Sequence, residues 1–279
     1  MKNRKGDETM KATEILDHFL SQATWFDKTT TVDRIITGDP EKEVKKVLVT
    51  WMSTLNSVKY AAAHGFDMIM THEPTFWIHA HEQETMAGWE TEYMKQEAAN
   101  EKQKLIKEND LVILRNHDVW DRMPEIGIPR ALADFLGLKG KPCAVEQGGF
   151  QHGYDIEPVK LGIFAERTAA RTALIGEPKI QVFGDLEKEI TRIGIGTGCC
   201  CKLEAFRKMG CDAAMVCDDG IWYWQDITWA LEADYPVIRI NHGTSEEPGM
   251  ITLAEYINNR LRDVSAEYFP HKSGINVIG

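Results

Sequence analysis

Three short stretches carry the side chains best suited to chemistry. They are His72-Glu73, His117 with Asp121 four residues on, and His242 with Glu246 four residues on. Imidazole and carboxylate together suit zinc, manganese, iron or cobalt. His72, Glu73, Asp121, His242 and Glu246 make five candidate ligands, and that many suggest two divalent ions with a carboxylate able to bridge them. Three carboxylates and two neutral imidazoles fall one charge short of balancing two divalent ions. The excess positive charge favours a bridging hydroxide or an anionic substrate group. Each residue alone has an ordinary reading: a hydrogen-bonded histidine at a strand end, a solvated or capping carboxylate, or, for Glu246, an acid near the start of the last helix. Only the joint placement points to metal.

The elements that must position these residues read as a repeated α/β pattern. Strands are expected at 47–51, 66–71 and 111–115, with helices at 55–64, 82–109 and 129–136. The order recurs with strands at 193–196, 211–216 and 237–240 and helices at 202–209, 223–233 and 251–262. Between them, residues 150–185 suggest two strands and a helix, from 159–165, 169–175 and 180–183. Gly65-Phe66-Asp67 through Glu73 aligns with Gly210-Cys211-Asp212 through Asp218, an offset of 145. Asn116-His117 before Asp121 aligns with Asn241-His242 before Glu246, an offset of 125. The expected fold class is therefore α/β: two similar lobes, residues 1–145 and 146–279, the second including the short central β/α segment. A pseudo-twofold axis would relate the lobes, with the metal site in the cleft between them. In open α/β sheets ligands gather at the carboxyl ends of strands, where all the residues above fall.

Composition narrows the partners. With 32 Lys+Arg against 43 Asp+Glu, the net charge of −11 and the scatter of the basic residues argue against nucleic acid. No apolar run approaches the roughly 20 residues that span a bilayer, and the N-terminal stretch lacks a signal-peptide core, so a cytoplasmic protein with no membrane partner is expected. Six cysteines, three of them adjacent at 199–201, form no C-x-x-C pair and are read as reduced thiols in or near the core.

The chain resembles the Nif-three-like dinuclear metal centre family, the GTP cyclohydrolase I type 2 homologues. Gly38-Asp39-Pro40 followed by Val44 to Val49 matches the family's first-strand region. Gly65 to Pro74 matches its G-x-D-x-I-x-x-H-H-P block, with Glu73 where the second His is usual; His117 to Asp121 matches its H-x-x-x-D block, and His242 to Glu246 its closing H-x-x-x-E block. The match runs from about Trp25 to Arg262. The resemblance implies a two-lobed subunit, two metal ions per subunit (zinc, manganese or iron) and ring-shaped homohexamers. By position it gives ligand roles to His72, Asp121, His242 and Glu246. Glu73 takes the place of a His ligand, and His117 would orient a ligand or the substrate from behind.

Other signals are weaker. Gly194-x-Gly196-x-Gly198 follows a strand but lacks a third glycine in register, so a tight packed turn is favoured over a phosphate loop. His79 and His81 follow the His72 block, and an exposed loop is their ordinary reading. Trp222-Tyr223-Trp224 could wall a cleft, with core packing favoured. No Ser-His or Cys-His nucleophile motif competes. The leading functional expectation is a metal-dependent hydrolase of a small anionic, phosphorylated or nucleotide-like, substrate. The alternative is a non-enzymatic metal-binding oligomeric scaffold or metal-handling protein.

Overall fold

β-branched and aliphatic runs bounded by turn residues build two mixed sheets. A computed structural model of the chain describes residues 9–76 and 92–278. Contacts divide it into two compact units: residues 1–123 with 250–270, and residues 124–249 with 271–279.

In the first unit, β1 (Met10–Lys11) pairs with β3 (Glu43–Val44), and β2 (Arg34–Thr37), β4 (Lys46–Met52), β5 (Met68–Glu73) and β6 (Val112–Arg115) belong to a larger sheet. The second unit contains β7 (Ala144–Glu146), β8 (Gln151–Lys160), β9 (Gln181–Phe183), β10 (Glu189–Gly196), β11 (Ala213–Cys217) and β12 (Val237–Ile240); β13 (Ser265–Tyr268) returns to the first. The first sheet has the order β13-β4-β5-β6-β2, parallel except for β2. The second has the order β7-β8-β10-β11-β12-β9, with β10, β11 and β12 parallel at its centre.

The central strands are apolar on both faces, as parallel strands covered on both sides must be. In the second unit Ile193, Ile195, Met215, Ile238 and Ile240 pack with Leu132, Leu161 and Phe164. The alternate residues Ala214, Val216 and Val237 pack with Phe206, Ile227 and Ala230 on the other face. In the first unit Leu48, Ile69 and Ile113 pack with Val58, Ala61, Phe66 and Ile106.

The repeat seen in the sequence is a repeat of hydrogen bonding. Gly65 and Gly210 both take positive φ (64° and 73°) to end their helices. Asp67 N donates to Lys46 O while its carboxylate accepts from Lys45 N and Lys46 N; Asp212 N donates to Arg192 O while its carboxylate accepts from Thr191 N and Arg192 N. Each aspartate thus pins the start of the neighbouring parallel strand.

Two expectations need correction. The central segment does form two strands, β8 and β9, and a helix, but the helix is Leu161–Thr172, so most of 159–165 is helical rather than extended. Leu161, Phe164, Ala165 and Thr168 are its buried face, at the 3–4 spacing of a helix. The last helix runs His242–Arg260 rather than starting near Ile251. Pro248 and Gly249 read as breakers, yet residues 243–250 are all buried, and packing overrides propensity. Of the expected helix 82–109, Glu92–Glu108 is helical; residues 77–91, with His79 and His81, lie outside the described residues.

Candidate metal centre

In the first unit the site is built where β5 and β6 end. Their register pairs Thr71 with Arg115, so His72 and Glu73 lie one and two residues past that pair and His117 two residues past the end of β6. His72 is completely buried. Its Nδ1 lies 3.3 Å from the Asn116 carbonyl oxygen, an acceptor only, so Nδ1 carries the proton. Nε2 then presents a lone pair 3.4 Å from Asp121 Oδ1. Two electron-pair donors facing each other in a buried setting need a cation between them or a second ring proton.

His117 stacks on His72 with ring centroids 4.4 Å apart and planes 13° apart. Its Nδ1 is 3.0 Å from Asp118 Oδ1 and 3.1 Å from Asp121 Oδ2, and its Nε2 is 3.8 Å from Glu73 Oε1. Burial depresses the His117 pKa, but Asp121, with Asp118 and Glu73, outweighs it and the net shift is upward. One ligand atom from each of His72, His117 and Asp121 lies within 4.8 Å of the others, a spread that fits one ion.

Three residues that the sequence reading did not single out hold this constellation. Arg115, fully buried, donates from Nε to the His72 carbonyl (2.9 Å) and lies 3.4 Å from Glu73 Oε2. Asp33 accepts the backbone N–H groups of His117, Asp118 and Val119, fixing the turn that carries His117 into the short helix Asp118–Asp121. Burial pushes the Asp33 carboxyl up to about 6 against the pull of those donors. Asp118 accepts from Thr31 Oγ1 (2.8 Å) and Val32 N (3.2 Å). Only Asp33's place after a run of threonines hints at a cap, and nothing in a linear pattern pairs it with residues 84 to 86 positions away.

In the second unit the corresponding place is the end of β12. Asn241 Oδ1 accepts Gly243 N (3.1 Å) and so caps the last helix, and Asp218 Oδ1 accepts His242 N (2.7 Å). His242 and Glu246 are therefore one turn apart on a helix. His242 Nδ1 is 2.9 Å from Asp219 Oδ2 and its Nε2 is 3.1 Å from Glu246 Oε2. A carboxylate on one imidazole nitrogen and a ligand-type oxygen facing the other is the arrangement that accompanies metal-ligating histidines.

The glycine-rich turn touches this pair. A Cβ on Gly198 would lie 2.6 Å from Glu246 Oε1 and 3.3 Å from His242 Nε2, and φ there is +58°. Gly194 and Gly196 give way to the Phe206 ring, so all three glycines answer to close packing, as a tight turn requires. Gly198 O accepts the thiols of Cys201 and Cys217, and hydrogen bonding with Cys201, then burial, holds the Cys217 thiol far above its usual range. All six cysteines are free, three of them buried. The expectation of core packing for Trp222, Tyr223 and Trp224 does not hold: they are 62%, 60% and 71% exposed. Among the described residues no helix is long and apolar enough to cross a membrane.

Known proteins place the architecture. A GTP cyclohydrolase 1 type 2 homolog from Clostridium perfringens is 26% identical over 250 residues, 85% of this chain and 87% of that protein. The crystal structure of a hypothetical protein from Staphylococcus aureus matches with a TM-score of 0.75 at 19% identity, covering 97% of this chain and all of that one. That of a Bacillus cereus protein related to NIF3 matches with a TM-score of 0.74 at 14% identity, again over 97% and 100%. At such identities the likeness establishes the α/β fold. The model of the Duf34/NIF3 (NGG1p interacting factor 3) family matches residues 10–273, nearly the whole chain, and the chain belongs to that family.

Proposed function

We propose that the chain binds two divalent metal ions through His72, Glu73, Asp121, His242 and Glu246, and uses them to hydrolyse a small anionic substrate. One observation carries this reading. In each unit a histidine commits Nδ1 to an oxygen acceptor and turns Nε2 toward a carboxylate, at 3.4 Å for His72 and Asp121 and at 3.1 Å for His242 and Glu246. That donor set fits zinc, manganese or iron(II). Such ions, when bound, polarise a scissile group and lower the pKa of a coordinated water toward neutrality.

The chain's own residues account for the rest. Asn116 O and Asp219 fix the ring orientations and tautomers of the two histidines. Asp121 Oδ2, 3.1 Å from His117 Nδ1, keeps its other oxygen toward His72. His117, partly exposed beside Asp121, is placed to steady an anionic substrate group. The name of the Clostridium perfringens relative suggests nucleotides as the first substrates to try. Homohexamers, expected from the family resemblance, belong to the same proposal.

The test is metal analysis of protein purified without added metal, with a screen of phosphoesters and nucleotides. The expected result is bound metal that falls sharply in Asp121→Ala and in His242→Ala, and turnover abolished by a chelator and restored by metal. Retention of two tightly bound ions in the double variant would sink the ligand assignment. Metal-loaded protein with rates no higher than Glu246→Ala would leave a metal-binding scaffold instead.

A further inference from the structure

Glu73 is the position where this chain departs from the family block, and the departure has a partner. Arg115, 0% exposed, is a permanent charge sealed at the end of β6. Its Nε is tied to the His72 carbonyl at 2.9 Å, which leaves the guanidinium little freedom, and the other end of the fork lies 3.4 Å from Glu73 Oε2. Glu73 Oε1 points instead toward His117 Nε2, 3.8 Å away. The two oxygens of Glu73 are therefore unequal: one faces a guanidinium and the other faces the imidazole cluster.

We propose that Arg115 is a positioning and affinity-setting residue that makes the two metal positions unequal, with the Glu73 position the weaker. This rests on the metal-binding reading above. Arg115 acts twice on a cation at Glu73. It holds Oε2, so that Glu73 offers Oε1 alone. It also offsets part of the carboxylate's charge and sets a positive charge beside a divalent ion in the same buried setting, where charge interactions are weakly screened. Asp121 feels this less, because its carboxylate meets imidazoles rather than the guanidinium. The first ion is then retained through purification, while the second exchanges and fills only at higher free metal. Losing the Arg115 fork would by itself loosen Glu73, but removing a full positive charge near a dication outweighs the loss of one hydrogen bond.

The experiment is a competition titration of chelator-stripped, refilled full-length protein with manganese and with zinc, reading the ratio of the first to the second dissociation constant. Wild type should bind its first equivalent at least ~10-fold more tightly than its second, the scale of effects from groups behind a metal ligand. Arg115→Met keeps most of the stem and removes the charge, and should narrow that gap by about 10-fold. Arg115→Lys keeps the charge and should keep the gap, which a purely structural role for the arginine would not do. Arg115→Met leaves Glu73 buried without its cation, so Glu73→His with Arg115→Met provides a second reading in which the pair is removed together. It too should narrow the gap, whereas Glu73→His alone should leave it wide. Two equal equivalents in wild type, or an unchanged gap in both variants that lack Arg115, would overturn the proposal while leaving the metal ligands standing. A wild-type protein that binds no metal would overturn both.

Discussion

Replacing Gly198 by alanine separates backbone strain from ligand displacement. With φ at +58°, the left-handed conformation costs an alanine about 1 kcal/mol. The added methyl would also stand 2.6 Å from Glu246 Oε1, where ordinary contact begins near 3.4 Å. The carboxylate must withdraw by roughly 0.8 Å, and Glu246 is 3% exposed on a buried helical turn, with little room to do so. Metal–ligand distances tolerate about 0.2 Å. The expected outcome is a stability loss of about 1–2 kcal/mol in chelator, with metal affinity down ~10–100-fold. Gly137→Ala is the control: φ is +83° and nothing lies within 4 Å of the new methyl, so it should lose comparable stability and no metal affinity. Denaturant unfolding in chelator reads the first quantity and competition titration the second. Full metal affinity in folded Gly198→Ala protein would refute Glu246 as a ligand at this distance.

Three further outcomes are expected. Burial raises the Asp212 carboxyl, but donors on Thr191 and Arg192 outweigh it and its folded pKa is lowered, so its stabilisation is complete above the unfolded value near 3.8 and fades as pH falls through the folded value. Asp212→Asn should therefore lower Tm at pH 7, and the gap to wild type should close on acidification toward pH 2; a gap that stays constant would refute the linkage. Glu73→His should raise the zinc-to-manganese affinity ratio, since imidazole is the softer ligand; an unchanged ratio, with affinities also unchanged in Glu73→Ala, would show that Glu73 is not a ligand. Sedimentation at micromolar concentration should give a homo-oligomer, a hexamer by resemblance, and a clean monomer near 31.6 kDa would rule that out.

Local patterns carried much of the fold. The β4 to β6 and β10 to β12 cores are short contiguous apolar runs between turn residues, and that length and flanking mark them as buried strands. Gly65 and Gly210 announce helix ends because glycine takes their positive φ without steric cost. What stayed illegible depends on partners distant in sequence. The first helix, Ala12–Gln22, is fixed by Ile15 and Phe19 packing inward, and β13 exists only because Ser265 to Tyr268 pair with Lys46 to Val49. The last helix hid its first nine residues behind Pro248 and Gly249, though those residues carry His242 and Glu246. Arg115 looks like an ordinary polar strand terminus; its role appears only when register brings it beside Glu73.

The two units use the same His-x-x-x-acid device with one methylene of difference. In the first, His117 meets Asp121 through Nδ1 at 3.1 Å; in the second, His242 meets Glu246 through Nε2, also at 3.1 Å. From one helical turn away the shorter aspartate reaches only the near ring nitrogen, while glutamate extends to the far one. His242 thereby keeps Nδ1 for Asp219. His117 has its Nδ1 taken by Asp118 and Asp121, and its Nε2 looks toward Glu73 Oε1 at 3.8 Å. β5 adds a second imidazole beside it: His72 stacks on His117 and aims Nε2 at the same aspartate. The matching position at the end of β11 is Cys217, a thiol held protonated against Gly198 O. One methylene thus decides which ring nitrogen the acid meets, while the strand-end position beside it is a histidine in one repeat and a cysteine in the other.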